Sequence, residues 1–162
     1  MARTDKDILN GLNASVQGVG HLGVTGKVEQ PKLDMDVVDD ISSGKLKAQY
    51  MTISFEKYSN IVMAEYNKNN LKPKDRLPLV LKGNIRRDAT DVPLVITVQG
   101  EIHELDDGTL EEGKEVTRKV KIKVDRYTKT VDGKPEVVYD RLNDVMVIDG
   151  VDLLAEYRQN VN

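Results

Sequence analysis

Tyr50-Met51-Thr52-Ile53-Ser54-Phe55-Glu56-Lys57 alternates without a break. Met51, Ile53 and Phe55 fall on one side, and Thr52, Ser54 and Glu56 on the other. A period of two is the signature of a half-buried strand, because successive side chains leave opposite faces of the pleat. The same period recurs outward from this segment. In Leu77 to Arg87, Leu77, Leu79, Leu81 and Ile85 share a face. In Val92 to His103, Val92, Leu94, Ile96, Val98 and Ile102 point inward, with Thr97, Gln99, Glu101 and His103 outward. Glu115 to Tyr127 sets Val116, Val120, Ile122 and Val124 against Thr117, Lys119, Lys121 and Lys123. A slip of one residue would expose each inward set, so the register is strongly specified.

Turn chemistry separates these runs. Arg87-Asp88-Ala89-Thr90-Asp91 predicts a hairpin loop. Asp106-Asp107-Gly108 opens a longer loop that ends near Gly113. Asp132-Gly133-Lys134-Pro135 predicts a tight hairpin, since Asp-Gly tolerates positive φ. Strands are expected from Glu136 to Tyr139 and from Asn143 to Ile148. Two more, Ser15–Gly20 and Leu22–Glu29, stand near the start. Two segments read as helical. Ser59 is placed to cap Asn60 to about Lys68, and Asp152 to cap Leu153 to Gln159. The sum is seven or eight antiparallel strands with a middle helix: an all-β sandwich or barrel of two packed sheets with one flanking helix. Gln30 to Ala48 lacks a core period. It is acidic, then Ser-Ser-Gly, then basic, and reads as an extended arm or hairpin with contacts outside its own domain.

Composition narrows the function. The chain has 162 residues, enough for one domain, with a formal charge of −3 and no cysteine. Cysteine chemistry is excluded, and the balance lacks the basic footprint of a phosphate-gripping domain. Met1 to Asn10 carries Arg3, Asp5, Lys6 and Asp7, unlike a signal peptide, and Val145 to Ile148 is too short to cross a bilayer. These features predict a soluble protein made in a cytoplasm, with no membrane partner.

No catalytic constellation emerges. Gly18 to Gly23 has G-x-G-x-x-G spacing, but Val24-Thr25-Gly26-Lys27-Val28 follows, which is not the opening of a helix. His21 and His103 lack local ligand spacing. Asp106, Asp107, Glu111 and Glu112 lack the pattern of a calcium loop. The expectation is a protein that is not an enzyme and has no cofactor or metal. Lys119, Lys121 and Lys123 alternate on one strand face. Two readings stand: contact with an acidic partner, or a solvated face or edge guarded by lysine.

Three segments carry a family likeness: Gln30-Pro31-Lys32-Leu33 before the arm, Pro78 to Asp88 with Gly83 and Arg86-Arg87-Asp88, and Asp149-Gly150-Val151-Asp152-Leu153-Leu154 leading to Arg158. With the strand order around the middle helix, the chain resembles the major tail tube proteins of contractile-tailed bacteriophages. It also resembles the tube subunits of R-type bacteriocins. The likeness covers nearly the whole chain. One departure is a segment between Leu33 and Tyr50 that is shorter than in many relatives, which limits the reach of the arm.

The resemblance implies a single tail tube domain over 1–162, with an inter-ring arm at about 30–48 and a C-terminal arm at about 149–162. It implies a structural virion protein: homohexameric rings in a helical assembly, conducting DNA during ejection. Its implied partners are itself, the sheath protein, the tape-measure protein, the baseplate, the tail terminator and passing DNA. Its implied location is the virion tail, after assembly in the host cytoplasm. Six subunits at −3 each would carry a formal −18 per ring. A basic lumen would hold phosphate, so Thr52, Ser54, Glu56, Thr97, Gln99 and Glu101 are expected to face the lumen. Leu33, Asp34, Asp36, Asp39, Asp40, Lys45 and Lys47 are expected in the inter-ring arm. The alternatives are a ring-forming tube of a bacteriocin or type VI-like secretion system, and a monomeric β-sandwich binding module.

Overall fold

The computed structural model describes residues 7–16, 20–33, 35–38, 41–46, 49–55 and 78–161. The expected middle helix, Asn60 to Lys68, lies outside the described residues, as does Leu77. Eleven strands and one helix are described: β1 Asp7–Val16, β2 Gly20–Glu29, β3 Met35–Val38, β4 Ile41–Leu46, β5 Gln49–Phe55, β6 Leu79–Arg87, β7 Thr90–Asp106, β8 Arg118–Val131, β9 Lys134–Asp140, β10 Val145–Ile148, β11 Val151–Asp152 and α1 Ala155–Val161. Nine strands form one antiparallel sheet, and β3 and β4 form a separate two-stranded sheet. The all-β expectation holds.

The large sheet bends back on itself. Its pairings run β8–β5–β2–β1–β6–β7, and β7 then pairs with β8 again. The facing layers are therefore two walls of one continuous sheet. The circuit does not seal. β2 pairs with β1 only from Asn13 onward, then leaves to pair with β5, so among the described residues the start of β1 has β6 alone as its ladder partner. Bulges do the bending. They interrupt β1–β6, β1–β2, β2–β5, β8–β9 and, twice, β7–β8. Each adds a residue to one strand and increases local twist.

Alternation fills the interior. Met51, Ile53 and Phe55 of β5 meet Leu94, Ile96, Val98 and Ile102 of β7 and Val120, Ile122 and Val124 of β8 in one core. Leu12, Ala14 and Leu81 join from β1 and β6. Burying each large aliphatic contributes about 1.5–3 kcal/mol. Tyr127 and Tyr139 pair across β8 and β9, with Met146 beside Tyr139. Burial pushes both phenols up to about 12. Val116, expected inside, is instead exposed in the loop before β8, because the strand begins only at Arg118. That loop is tied down by Arg118, a buried side chain whose guanidinium donates to Asp107 at 2.6 Å.

Three two-residue turns share one geometry. Asp88-Ala89, Asp132-Gly133 and Asp149-Gly150 all have positive φ at both positions, the twist that matches right-handed strands. Gly100 marks a tight approach at a β7–β8 bulge, where an added Cβ would lie 2.2 Å from the Lys123 carbonyl oxygen. After Asp149-Gly150, β11 pairs with β10, and Leu154 is buried in the core. Asp152 accepts a hydrogen bond from the Leu154 N–H and pairs with Arg158, which also donates to the Asp144 carbonyl. The expected cap at Asp152 of a helix from Leu153 is not what forms: Asp152 ends β11 and its side chain closes the turn through Leu154, and helix α1 begins only at Ala155.

Candidate functional site

β8 runs through the middle of a polar surface. Its neighbours are β7 along one side and β5, then β9, along the other. Side chains directly opposite in an antiparallel ladder share a face. Lys119 stands between Ser54 and Asp106, Lys121 between Thr52 and Glu104, and Lys123 between Tyr50 and Glu101. Farther along, Arg126 faces Gln99 and Thr128 faces Thr97. The structure therefore brings Thr52, Ser54, Thr97, Gln99 and Glu101 onto one face. Glu56 lies outside the described residues.

That face also holds residues absent from the expected set. Lys119, Lys121 and Lys123 run down its middle, and Tyr50, His103, Glu104, Asp106 and Arg126 complete it. The Lys121 ammonium sits 4.9 Å from the Tyr50 ring centroid, and the His103 ring centroid lies 5.3 Å from that of Tyr50. The Lys alternation was visible in sequence; its position between the two other polar rows was not. β8 is an interior strand, so guarding an edge is not why its lysines are there.

A bulge decides which acids join them. Simple alternation puts Glu101, His103 and Leu105 on one side. The ladder pairs Ile102 with Ile122 and then Glu104 with Lys121, leaving His103 as the extra residue. Glu104 and Asp106 consequently stand on the polar face beside Glu101, while Leu105 packs against the core.

The second candidate surface is the arm. Among the described residues β3 and β4 pair only with each other, Val38 opposite Ile41 and Met35 opposite Leu46. Asp36 and Lys45 belong to these strands; Asp34, Asp39, Asp40 and Lys47 lie outside the described residues. Leu33 is at the root. It packs against the core, and its N–H donates to the Gln49 side chain at 2.9 Å.

A cavity of about 250 Å³ lies between the start of β1 and Gln30. Its lining includes Leu9, Ile85, Leu94 and Val131. Arg87 there is held by both Asp7 oxygens, and Lys129 donates to Gln30 at 2.8 Å. The Arg87 hydrogen bond keeps the Asp7 carboxyl below its usual range. Among the described residues, no three His, Asp or Glu side chains cluster to hold a metal, and no helix is long and apolar enough to cross a membrane. The Gly18–Gly23 spacing leads into strand β2 rather than a helix N-terminus.

A sequence profile described as "Phage tail tube protein FII" matches residues 6–161. The chain belongs to this tail tube family. The tail tube protein of Escherichia phage P2 is 29% identical over 89 residues, which are 54% of this chain and 52% of that protein. The alignment thus spans about half of each. Among solved structures, one described as "Crystal structure of Hcp protein" superposes at a TM-score of 0.45 with 11% identity, covering 76% of this tail tube chain and 91% of that chain.

Proposed function

We propose that this chain is a structural subunit of a phage tail tube, assembling with copies of itself into stacked homohexameric rings whose lumen conducts DNA. The family match over nearly the whole chain carries the reading. The fold supports it in two places. Among the described residues the start of β1 has a ladder partner on one side only, and Ile8 and Leu9 there are 60% and 50% exposed. An open, apolar strand edge is a template for pairing with another chain. The β3–β4 hairpin stands apart from the main sheet, and two-stranded hairpins are marginal in water by themselves. A neighbouring ring would supply the missing contact, which makes this segment the inter-ring arm. The C-terminal segment from 149 would add a second inter-ring contact through exposed Val151 and Leu153.

The lumen is assigned to the polar face of β5, β8 and β7, with Thr52, Ser54, Thr97, Gln99 and Glu101, and with Glu56 beyond the end of β5. The sheath, tape-measure protein, baseplate and tail terminator would meet the rest of the tube. Negative-stain electron microscopy of the purified protein across a concentration series tests the assembly. Rings and tubes of uniform diameter are the expected result. A species that stays monomeric at every concentration would instead support a β-sandwich binding module.

A further inference from the structure

We propose that the acidic row on β7 masks a latent DNA-binding stripe on β8, so that the face passes duplex DNA without holding it. The proposal rests on assigning this face to the lumen. Lys119, Lys121 and Lys123 alone are a phosphate-binding pattern: three cations on one face of one strand, spaced about 6.8 Å apart at two residues each. Each has an acid directly across the β7 ladder: Asp106, Glu104 and Glu101 in turn.

The length scales decide what DNA would sense. Opposed side chains in a ladder have Cβ atoms about 4.5–5.5 Å apart. The screening length at physiological salt is about 8 Å. A phosphate approaching from solvent therefore meets each lysine and its acid together, as a near-neutral pair. Lys121 is further restrained by its position over the Tyr50 ring. The β7 bulge at His103 makes the match complete. Without that extra residue, His103 would oppose Lys121, and Glu104 and Asp106 would turn toward the core.

Counterion release makes this measurable. Each exposed lysine that neutralises a phosphate steepens the salt dependence of binding by about 0.9 in a log–log plot. The test is the fluorescence anisotropy of a labelled 30-base-pair duplex, titrated with full-length protein from about 50 to 200 mM salt. Wild type should bind weakly with a shallow slope. E101Q/E104Q/D106N should bind at least about ten-fold tighter at low salt, with a slope approaching about −2.7. Adding K121Q/K123Q to that variant should return binding to the wild-type level. E111Q/E112Q/E115Q changes the net charge equally on the exposed loop before β8 and should leave binding near wild type.

If the masked-face variant binds no tighter than the loop variant, the proposal is overturned. Steep, tight DNA binding by wild type overturns it equally. Should the triple variant misfold by circular dichroism, E101Q/E104Q is the substitute, with a slope approaching about −1.8 and the same overturning result. Electron microscopy of the same preparations separates the two ideas. Tubes without unmasked DNA binding keep the tube reading and remove the mask. Unmasked binding by a protein that never forms rings keeps the charge pairing and removes the lumen.

Discussion

The β7–β8 hairpin and the β3–β4 hairpin are both antiparallel pairs, yet they are held by different things. β7 and β8 are paired on their outer sides as well, and both contribute side chains to the core from one end to the other. Among the described residues β3 and β4 have only each other in the ladder. The first pair is stabilised by burial within its own chain. The second forms a two-stranded sheet of its own, and the proposed inter-ring role would complete it on a neighbour. Regular hydrogen bonding alone does not tell the two apart; what lies on the next strand does.

The sharpest way to break this contrast is at the core. Ile53 is fully buried beside Val120, so Ile53→Ala should destabilise the subunit by about 2–5 kcal/mol in urea unfolding. Gly100→Ala is next. Its new Cβ would strike the Lys123 backbone, and a loss of about 1–3 kcal/mol is expected in the same measurement, although only a methyl is added. Ala89→Gly should act in the other direction. Ala89 holds φ at +66, and relieving it should stabilise by about 0.5–1 kcal/mol, net of the flexibility of glycine in the unfolded chain.

A smaller effect belongs to the C-terminal clasp. The hydrogen bond from Arg158 holds the Asp152 carboxyl below its ordinary 3.8. Its contribution is therefore fully present above pH 3.8 and is lost as pH falls through the lower folded value. The melting temperature of wild type should exceed that of Asp152→Asn at pH 7, and the gap should close toward pH 2. The least effect on the isolated subunit is expected from replacing residues 35–46 with a short Gly-Ser link. Subunit stability should stay within about 0.5 kcal/mol, since shortening a loop changes little. Tubes should nevertheless fail to form under electron microscopy. A large loss of subunit stability in that variant would show that the hairpin belongs to its own domain after all.

Much of this was legible from residue order. Val92, Leu94, Ile96, Val98 and Ile102 were placed inward by alternation and are all buried. Asp132-Gly133 announced its turn, whereas Asp152, read as a helix cap, instead closes the turn that precedes the helix. The bulges were not legible. Glu104 follows His103 in a strand that alternates, and nothing local says that His103 will be the extra residue. Nor did the spacing show that the lysine row would lie between the Thr52 and Glu101 rows, because strands 52, 101 and 121 become neighbours only through long-range pairing.

Residue order by itself determined that this chain is a β protein, which side chains of β5 and β7 face its core and where the Asp88-Ala89 and Asp132-Gly133 turns fall, because each depends on residues two to four apart. Only the tertiary structure decided that the sheet bends back without sealing, that one hairpin is left outside it, and that Lys119, Lys121 and Lys123 of β8 each stand against an acid of β7. Those outcomes depend on which strands meet and on where one extra residue shifts the register, and both are settled by packing across the whole molecule.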